Sequence, residues 1–313
     1  MKKITIVVSL FNEEDTIIQF WKKLKGELYK IKKYRFEIIF VNDGSKDSTF
    51  NHIRDIANKD NNVKVLSFST NFGHEAAMIA GIDHSTGDAV ICMDGDLQHP
   101  PKKIRVILNR FEKGLDVIRM VRENDNKTNL LKSFTSNLFY FFINRISTTY
   151  FEPNATDFFL ISRQVKLILQ HEFRERNRFI RGFTQLVGFK NERIIFKANR
   201  RVAGRSKYSY KKLLILALTA FIAFSNLPLH ISLFFGFITG LISLGIGIYI
   251  IILNLLGKGL SQYYFLVVLI SFMFSAQFIL IGIIGEYISF MFTETKKRPI
   301  YIIQHFINFK NSR

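Results

Sequence analysis

The stretch "DAVICMDGDLQHP", residues 88–100, joins an apolar run to a polar turn that carries two carboxylates. The run over 89–93 is apolar on both faces, which predicts a buried β-strand. Asp94 and Asp96 follow at once, and Gly95 between them lets both side chains turn toward one point. Carboxylate oxygens suit Mg²⁺ or Mn²⁺, but a lone D-x-D pattern is also common in polar turns. These residues alone therefore leave open both a metal site and a simple turn.

Further apolar segments precede this strand and alternate with helical patterns. Strands are predicted in "KITIVVSL", "FEIIFVNDGS" and "NVKVLSFS", and helices in "EEDTIIQFWKKLKGELYKI", "DSTFNHIRDIANKD" and "HEAAMIAGIDHS". This alternation predicts an α/β fold with a parallel sheet that helices cover on both faces. The ligands of such sheets bind beyond the carboxyl ends of the strands.

The polar clusters of the sequence fall at those strand ends, in "FNEE", "NDGSKDST", "NFGHE" and "DGDLQH". Taken singly, "NDGS" is also a preferred turn sequence, and "FNEE" is also a helix start with acidic residues in its first turn. Taken together, carboxylates that converge on one edge repel one another unless a cation or a hydrogen-bonding ligand binds there. The clusters therefore predict a ligand site at this edge of the sheet.

Composition restricts the partners and the chemistry. The formal net charge of +19 indicates an acidic partner, such as nucleic acid, anionic lipid or a phosphorylated substrate. Cys92 is the single cysteine, so an intramolecular disulfide is excluded, and its apolar surroundings predict a buried small hydrophobe. The short apolar N-terminal stretch runs directly into "NEED" and lacks a cleavage site, which favours a first strand over a targeting signal.

Apolar runs dominate the chain after Lys212. Two of them, "ISLFFGFITGLISLGIGIYIIIL" and "YYFLVVLISFMFSAQFILIGIIG", are uncharged and exceed the roughly 20 residues that cross a bilayer. The shorter run before them ends at Pro228 and is interpreted as a helix in the membrane interface. Basic residues flank the pair on both sides: Lys207, Lys211, Lys212, Lys296, Lys297 and Arg298. The positive-inside rule therefore places both ends of the hairpin in the cytoplasm.

In this order, the motifs resemble the family 2 glycosyltransferases with a GT-A fold. Among them, the chain is similar to the polyprenyl-phosphate glycosyltransferases related to dolichyl-phosphate mannose synthase and to bacterial bactoprenol glucosyltransferases. The resemblance is carried by "VVSLFNEE", "VNDGSKDST", "NFGHEAAMIAGIDHSTGDAVICMDGDLQHPP", "ERNRFIRGF", "VGF", "RRVAGRSKYS" and "GEYISFMFTETKKRPIYII". It covers essentially the whole chain.

The resemblance implies an enzyme that transfers a sugar from a nucleotide sugar to undecaprenyl or another polyprenyl phosphate, with Mg²⁺ or Mn²⁺ as cofactor. By family frequency, UDP-glucose is the first expected donor and UDP-N-acetylglucosamine the second. The product would be a lipid-linked sugar for cell-envelope polysaccharide modification, made at the bacterial inner membrane by a cytoplasmic catalytic domain. A homo-oligomer such as a tetramer is compatible with the resemblance.

The domain organisation follows from the resemblance and the apolar runs together. We expect a Rossmann-like GT-A domain over 1–210, an interfacial amphipathic helix over 211–230, two transmembrane helices over 231–288 and a basic, aromatic cytoplasmic tail over 289–313. The tail is predicted to pack on the membrane surface or against a neighbouring subunit.

The resemblance also implies site residues. The positions that match the nucleotide-sugar site are Glu13, Asp43, Ser45, Asp94, Arg205 and Lys207. The positions that match the D-x-D-x-Q metal motif are Asp94, Asp96 and Gln98. The positions that match the lipid-phosphate site are Arg122, Lys132 and Ser136. Asp157 and Asp96 are the implied catalytic residues, and the role of Asp157 is either catalytic or substrate-orienting. His99 is interpreted as a structural neighbour of this motif.

The chain departs from the family pattern at several positions. Ser9 and Phe11 replace the usual proline and tyrosine of the first motif, and Leu186 replaces a tryptophan. Phe159 stands where many members carry arginine, which predicts the loss of a positive charge near the sugar or the phosphates. This last change leaves the identity of the sugar open.

The implied mechanism is an inverting displacement, in which the metal and basic residues neutralise charge on the leaving nucleoside diphosphate. Because the lipid phosphate is already ionised at neutral pH, a strong general base is not required. One alternative is a processive polysaccharide synthase, but the "QxxRW" motif of those enzymes is missing from the sequence. Another is a membrane-anchored scaffold or nucleic-acid-binding protein, which would leave the acidic edge unexplained because carboxylates repel phosphates. Nucleic acid is therefore not an expected partner.

Overall fold

The computed structural model of the chain folds as two units, Met1–Leu213 with Arg298–Arg313, and Leu214–Lys297. The described residues are 1–123, 145, 152, 155–175, 180–197, 227–256 and 262–309. The predicted interfacial helix over 211–230 lies almost entirely outside them.

The first unit is built on an eight-stranded sheet. Its strands are β1 (Lys3–Leu10), β2 (Arg35–Asn42), β3 (Val63–Phe68), β4 (Ala89–Asp94), β5 (Val117–Arg122), β6 (Ala155–Ser162), β7 (Asn191–Phe196) and β8 (Ile303–Ile307). Their order is β7-β5-β6-β4-β1-β2-β3-β8. The first four strands pair in parallel, as predicted. In contrast, β6 is antiparallel to β4 and β5, and β8 is antiparallel to β3.

Two antiparallel steps through β6 leave β5 parallel to β4, and β7 pairs in parallel with β5. The strands β1 to β5 and β7 therefore end at one side of the sheet, which we call the carboxyl edge. Because β6 runs the other way, its first residues lie at this same edge. The carboxyl edge thus brings together Asn42, Asp94, Arg122 and the start of β6 at Ala155.

Six α-helices among the described residues of the first unit connect or cover these strands. They are α1 (Ile17–Tyr29), α2 (Thr49–Lys59), α3 (His74–Asp83), α4 (Ile104–Phe111), α5 (Arg163–His171) and α6 (Ile180–Leu186). In α1 the buried side chains recur every three or four residues, at Ile17, Phe20, Leu24 and Leu28. This spacing places one apolar stripe of the helix on the core.

Close packing of α3 on the sheet positions the N-terminal end of that helix. A Cβ atom on Gly81 would lie 2.1 Å from Val7 Cγ1, so only glycine allows this approach. The helix is buried from Ala76 to Ile82, and it begins at His74 at the carboxyl edge. Because β1 ends at the same edge, the packing of α3 brings His74 close to the last residues of β1.

The C-terminal tail packs on the sheet of its own chain. Ile303–Ile307 forms β8 and extends the sheet beside β3, with Phe306 opposite Leu66. The Tyr301 ring stacks on Phe68 with 5.3 Å between ring centroids. The apolar and aromatic residues of this tail therefore cover an otherwise open strand edge of their own chain, which protects it from pairing with another molecule.

The second unit contains α7 (Leu227–Leu255) and α8 (Gln262–Thr295). Both helices carry apolar stretches long enough to cross a membrane by length and composition, Gly236–Leu253 and Phe272–Thr295. Pro228 lies in the first turn of α7, where proline needs no N–H partner. Helix α8 continues past the predicted end at 288 because no glycine or proline interrupts residues 286–295.

The turn after β2 requires glycine at position 44. Gly44 has φ +65°, and an added Cβ would lie 2.5 Å from the Thr70 carbonyl carbon, which is backbone and cannot move aside easily. We expect Gly44→Ala to reduce the free energy of unfolding by about 2–3 kcal/mol. Thermal unfolding would measure this loss. Gly26→Ala is the matched control, since no atom lies within 4 Å of its added Cβ, and we expect unchanged or slightly higher stability.

Candidate active site

Asp94 lies at the end of β4, within a cluster drawn from three strands and a helix. Ser9 Oγ, at the end of β1, donates a hydrogen bond to Asp94 Oδ1 at 3.3 Å and lies 3.0 Å from His74 Nδ1. The other ring nitrogen, His74 Nε2, lies 3.5 Å from Asp94 Oδ1 and 3.2 Å from Asp157 Oδ2. The parallel strands and α3 therefore place one imidazole between two carboxylates.

This cluster has the donor set of a divalent-cation site. Ligand atoms of His74, Asp94 and Asp157 all lie within 4.8 Å of one another. His74 Nε2 is buried and lies near both carboxylates without a hydrogen bond of good geometry. Burial opposes protonation of this imidazole, but Asp94 and Asp157 outweigh burial and raise the pKa of His74 to about 10. A positive charge at this point, from a proton or a metal cation, would compensate the carboxylates.

Asp157 is held by Arg181, the second residue of α6. The guanidinium donates from Nε to Asp157 Oδ1 at 2.6 Å and from a terminal nitrogen to Oδ2, while its other terminal nitrogen bonds the Ala155 carbonyl at 3.1 Å. Burial alone would raise the pKa of Asp157, but Arg181 and His74 hold it well below its usual range. Asp157 is therefore an ionised carboxylate in a fixed orientation.

The other predicted metal ligands form a separate chain of contacts. Asp96 accepts hydrogen bonds from the backbone and the side-chain amide of Gln98. Gln98 Oε1 in turn accepts from Arg122 at 2.7 Å. Among the described residues, the three-residue metal-ligand group contains Asp94 but not Asp96. The predicted lipid-phosphate residue Arg122 thus lies beside the predicted metal ligands.

His99 has the structural position that the sequence indicates. It is 2% exposed, its ring stacks on Phe158 at 5.2 Å, and its Nδ1 accepts the backbone N–H of Asp94 at 3.0 Å. Burial lowers the pKa of His99, which favours the neutral ring that such an acceptor needs. His99 therefore fixes the backbone at Asp94.

The predicted nucleoside-binding residue Asp43 contacts the loop before α3. Its carboxylate accepts hydrogen bonds from the backbone of Phe72 at 2.7 Å and of Gly73 at 3.0 Å, and from the Asn71 side chain at 2.9 Å. Burial raises the pKa of Asp43 to about 6, although the N–H groups of Phe72 and Gly73 favour its ionised form. Asp43 thus orients the segment that leads into His74.

Glu13 and Ser45 flank the same edge. Thr16 Oγ1 donates to the Glu13 carboxylate at 2.7 Å, and the Asn12 backbone donates to Ser45 Oγ at 3.0 Å. The remaining predicted site residues, Lys132, Ser136, Arg205 and Lys207, lie outside the described residues.

Phe159 is buried in the sheet. It is 1% exposed and lies opposite Cys92 on β4 and Arg119 on β5. Phe159 is therefore an interior residue of β6, and the residue opposite it on β5 is an arginine. Cys92 is buried, as predicted.

Sequence reasoning assigned no role to His74, Glu75 or Arg181. The Ile180 backbone N–H donates to Glu75 Oε2 at 3.0 Å, so the starts of α3 and α6 are joined. Burial raises the pKa of Glu75 to about 7. The signal for His74 is its position at a helix start in the loop region that follows β3, whereas no spacing rule connects Arg181 to Asp157.

The fold is a mixed α/β sheet with carboxylates gathered at its carboxyl edge, where the ligands of such sheets bind. Residues 5–167 match Glycosyl transferase family 2, and the chain belongs to that family. It is 40% identical over 307 residues to Bactoprenol glucosyl transferase of Shigella phage SfX, covering 96% of this chain and 99% of the relative. It is 39% identical to Prophage bactoprenol glucosyl transferase homolog of Escherichia coli, and the alignment covers 96% of this chain and 98% of that relative.

Among solved structures, the chain is similar to mannosyl-3-phosphoglycerate synthase from Rubrobacter xylanophilus, with a TM-score of 0.46 and 12% identity over 70% of this chain and 71% of that chain. The protein is a glycosyltransferase on the strength of the family match and the two relatives.

Proposed function

We propose that the protein transfers one glucosyl residue from a nucleotide sugar, UDP-glucose being the expected donor, to undecaprenyl or another polyprenyl phosphate. The observation that carries the proposal is the similarity to relatives named bactoprenol glucosyl transferase, which spans 96% of the chain. That span includes the two apolar helices, which suit an enzyme whose acceptor resides in a bilayer. A bacterial inner-membrane location with a cytoplasmic catalytic unit follows from the same proposal, and a tetramer remains a prediction.

We propose that Asp94, Asp96 and Gln98 hold Mg²⁺ or Mn²⁺, with Glu13 and Ser45 toward the nucleoside. The buried His74 Nε2, which lies 3.2 Å from Asp157 and 3.5 Å from Asp94, supports a cation at this edge. A divalent cation there would supply positive charge to the donor diphosphate.

The acceptor is proposed to approach from the side of Arg122, which is exposed at the end of β5. Its guanidinium would pair with the lipid phosphate. A phosphate oxygen forms the new bond to the anomeric carbon while the bond to the diphosphate breaks and its electron pair leaves with the diphosphate. Because this oxygen is ionised at neutral pH, no proton has to be removed.

A donor panel tests the function. We expect the full chain in lipid nanodiscs to convert undecaprenyl phosphate to a lipid carrying one hexose when UDP-glucose and Mn²⁺ or Mg²⁺ are supplied. Mass spectrometry of the lipid would identify the product among parallel reactions with other nucleotide sugars. A polymer that lengthens with time would favour a processive synthase, and no lipid product with any donor would reject the proposal.

A further inference from the structure

The Asp157 carboxylate has two features that constrain its chemistry. It is 5% exposed, and both of its oxygens accept hydrogen bonds from the guanidinium of Arg181. A guanidinium remains charged in proteins and donates in a planar fork that fixes the plane of a carboxylate. Asp157 is therefore held as an anion whose rotation is blocked.

The position of Arg181 is itself fixed by further contacts. Its third donor reaches the carbonyl of Ala155, two residues before Asp157 on the same strand. Its own carbonyl accepts hydrogen bonds from Thr184 Oγ1 at 2.9 Å and Gln185 Nε2 at 3.1 Å. The side chain thus fastens the start of α6 to the start of β6.

The start of α6 is also joined by a hydrogen bond to α3, the helix that carries His74. Glu75 accepts the N–H of Ile180, the residue before Arg181, and Glu75 follows His74 on α3. Arg181 and His74 therefore approach Asp157 from two helices whose first turns are joined. Arg181 bonds both oxygens of the carboxylate, and His74 Nε2 lies 3.2 Å from one of them, Oδ2.

We propose that Arg181 is a positioning residue for sugar transfer, which holds Asp157 as a fixed negative charge facing His74 and Asp94 and not as a proton acceptor. This inference rests on the proposed function. A fixed carboxylate stabilises the positive charge that develops on the sugar as the bond to the diphosphate breaks. It adds no proton transfer to the displacement, which the ionised lipid phosphate does not need.

The test is a double-mutant cycle on the full chain in nanodiscs, with wild type, Arg181→Ala, Asp157→Asn and the double variant. We expect Arg181→Ala to reduce kcat by about 100-fold, because a small misplacement of a reacting group has an effect of that size. KM for the nucleotide sugar should change by less than about threefold. If Arg181 acts only through Asp157, the double variant will be no slower than Asp157→Asn.

Two further measurements separate positioning from folding. Millimolar guanidinium should restore part of kcat to Arg181→Ala but not to the double variant. Arg181→Lys should retain the fold but lose the contact with both oxygens of Asp157. Arg174→Ala is the matched control, because Arg174 also bonds both oxygens of one aspartate, Asp83, in the same unit. We expect its kcat to stay within about threefold of wild type.

The outcomes separate this inference from the proposed function. Wild type that transfers no sugar to undecaprenyl phosphate would reject the proposed function. With an active wild type, three results would overturn the inference. The first is a double variant whose loss of kcat is the product of the losses in Arg181→Ala and Asp157→Asn. The others are an Arg181→Ala variant with a higher KM and unchanged kcat, and an Arg174→Ala variant that loses as much kcat as Arg181→Ala. If Arg181→Ala does not fold, Arg181→Lys is used in its place, and a wild-type kcat for Arg181→Lys would overturn the inference.

Discussion

Asp94→Asn is expected to reduce the rate of sugar transfer by about a thousandfold, the size of effect seen when a charge-stabilising group is lost. Asparagine keeps the size of the side chain but removes the negative charge that faces His74 and accepts from Ser9. The backbone N–H of Asp94 still bonds His99, so the turn should keep its shape. The measurement is the initial rate of lipid-linked hexose formation, with Mn²⁺ binding followed by electron paramagnetic resonance.

Asp55→Asn is the control for this substitution, because Asp55 is an exposed carboxylate of α2. It should keep the wild-type rate and the wild-type affinity for Mn²⁺. A rate for Asp94→Asn within about threefold of wild type would contradict a role for Asp94 in stabilising charge.

The same binding measurement distinguishes the two ligand sets that share Asp94. If Asp96 and Gln98 complete the site, Asp96→Asn will weaken Mn²⁺ binding as strongly as Asp94→Asn. If the group of His74, Asp94 and Asp157 holds the cation, His74→Gln will weaken binding and Asp96→Asn will not. A histidine nitrogen would also favour Mn²⁺ over Mg²⁺, because Mg²⁺ prefers oxygen ligands only.

The position of Asp94 was predictable because the signals that determine it are local. A short run that is apolar on both faces indicates a strand buried in a parallel sheet, and the first polar residue after it lies at the carboxyl edge. The same reasoning placed Asp43 and the start of α3 at this edge. These placements need no information about distant parts of the chain.

Arg181 and β8 were not predictable in this way. Arg181 and Asp157 are 24 positions apart in the sequence, and their contact depends on β6 entering the sheet between β4 and β5. A local pattern reports that a segment is apolar but not which surface it covers. For this reason the apolar tail was assigned to a membrane or a second subunit, while its partner is β3.

The return of the tail to the sheet has a consequence for topology. β7 precedes the two apolar helices and β8 follows them, yet both strands belong to one sheet. A single sheet lies on one side of a membrane, so the proposed pair of spans has to return the chain to its starting side. A hairpin of two spans meets this requirement, in agreement with the basic residues that flank it on both sides.

Removing the tail should therefore damage the catalytic unit rather than only its surface. A stop after Lys297 deletes β8, the hydrogen bond from Tyr301 to Asp83 at 2.7 Å, and the Asn308 side-chain bonds to two carbonyls at 2.8 Å. It also exposes Phe68, which is 2% exposed in the full chain. We expect a loss of ~5 kcal/mol from the free energy of unfolding, summed from these hydrogen bonds and the apolar area.

For a unit of this size, such a loss lowers the thermal midpoint by about 10–20 °C. Thermal unfolding of the detergent-solubilised proteins would measure it. The control is a stop after Phe309, which keeps β8, Tyr301 and Asn308 and should unfold like the full chain. Equal thermal midpoints for the two truncated proteins would contradict a structural role for the tail. A loss confined to the stop after Lys297 would mean that residues which follow the apolar helices in the chain stabilise the catalytic sheet.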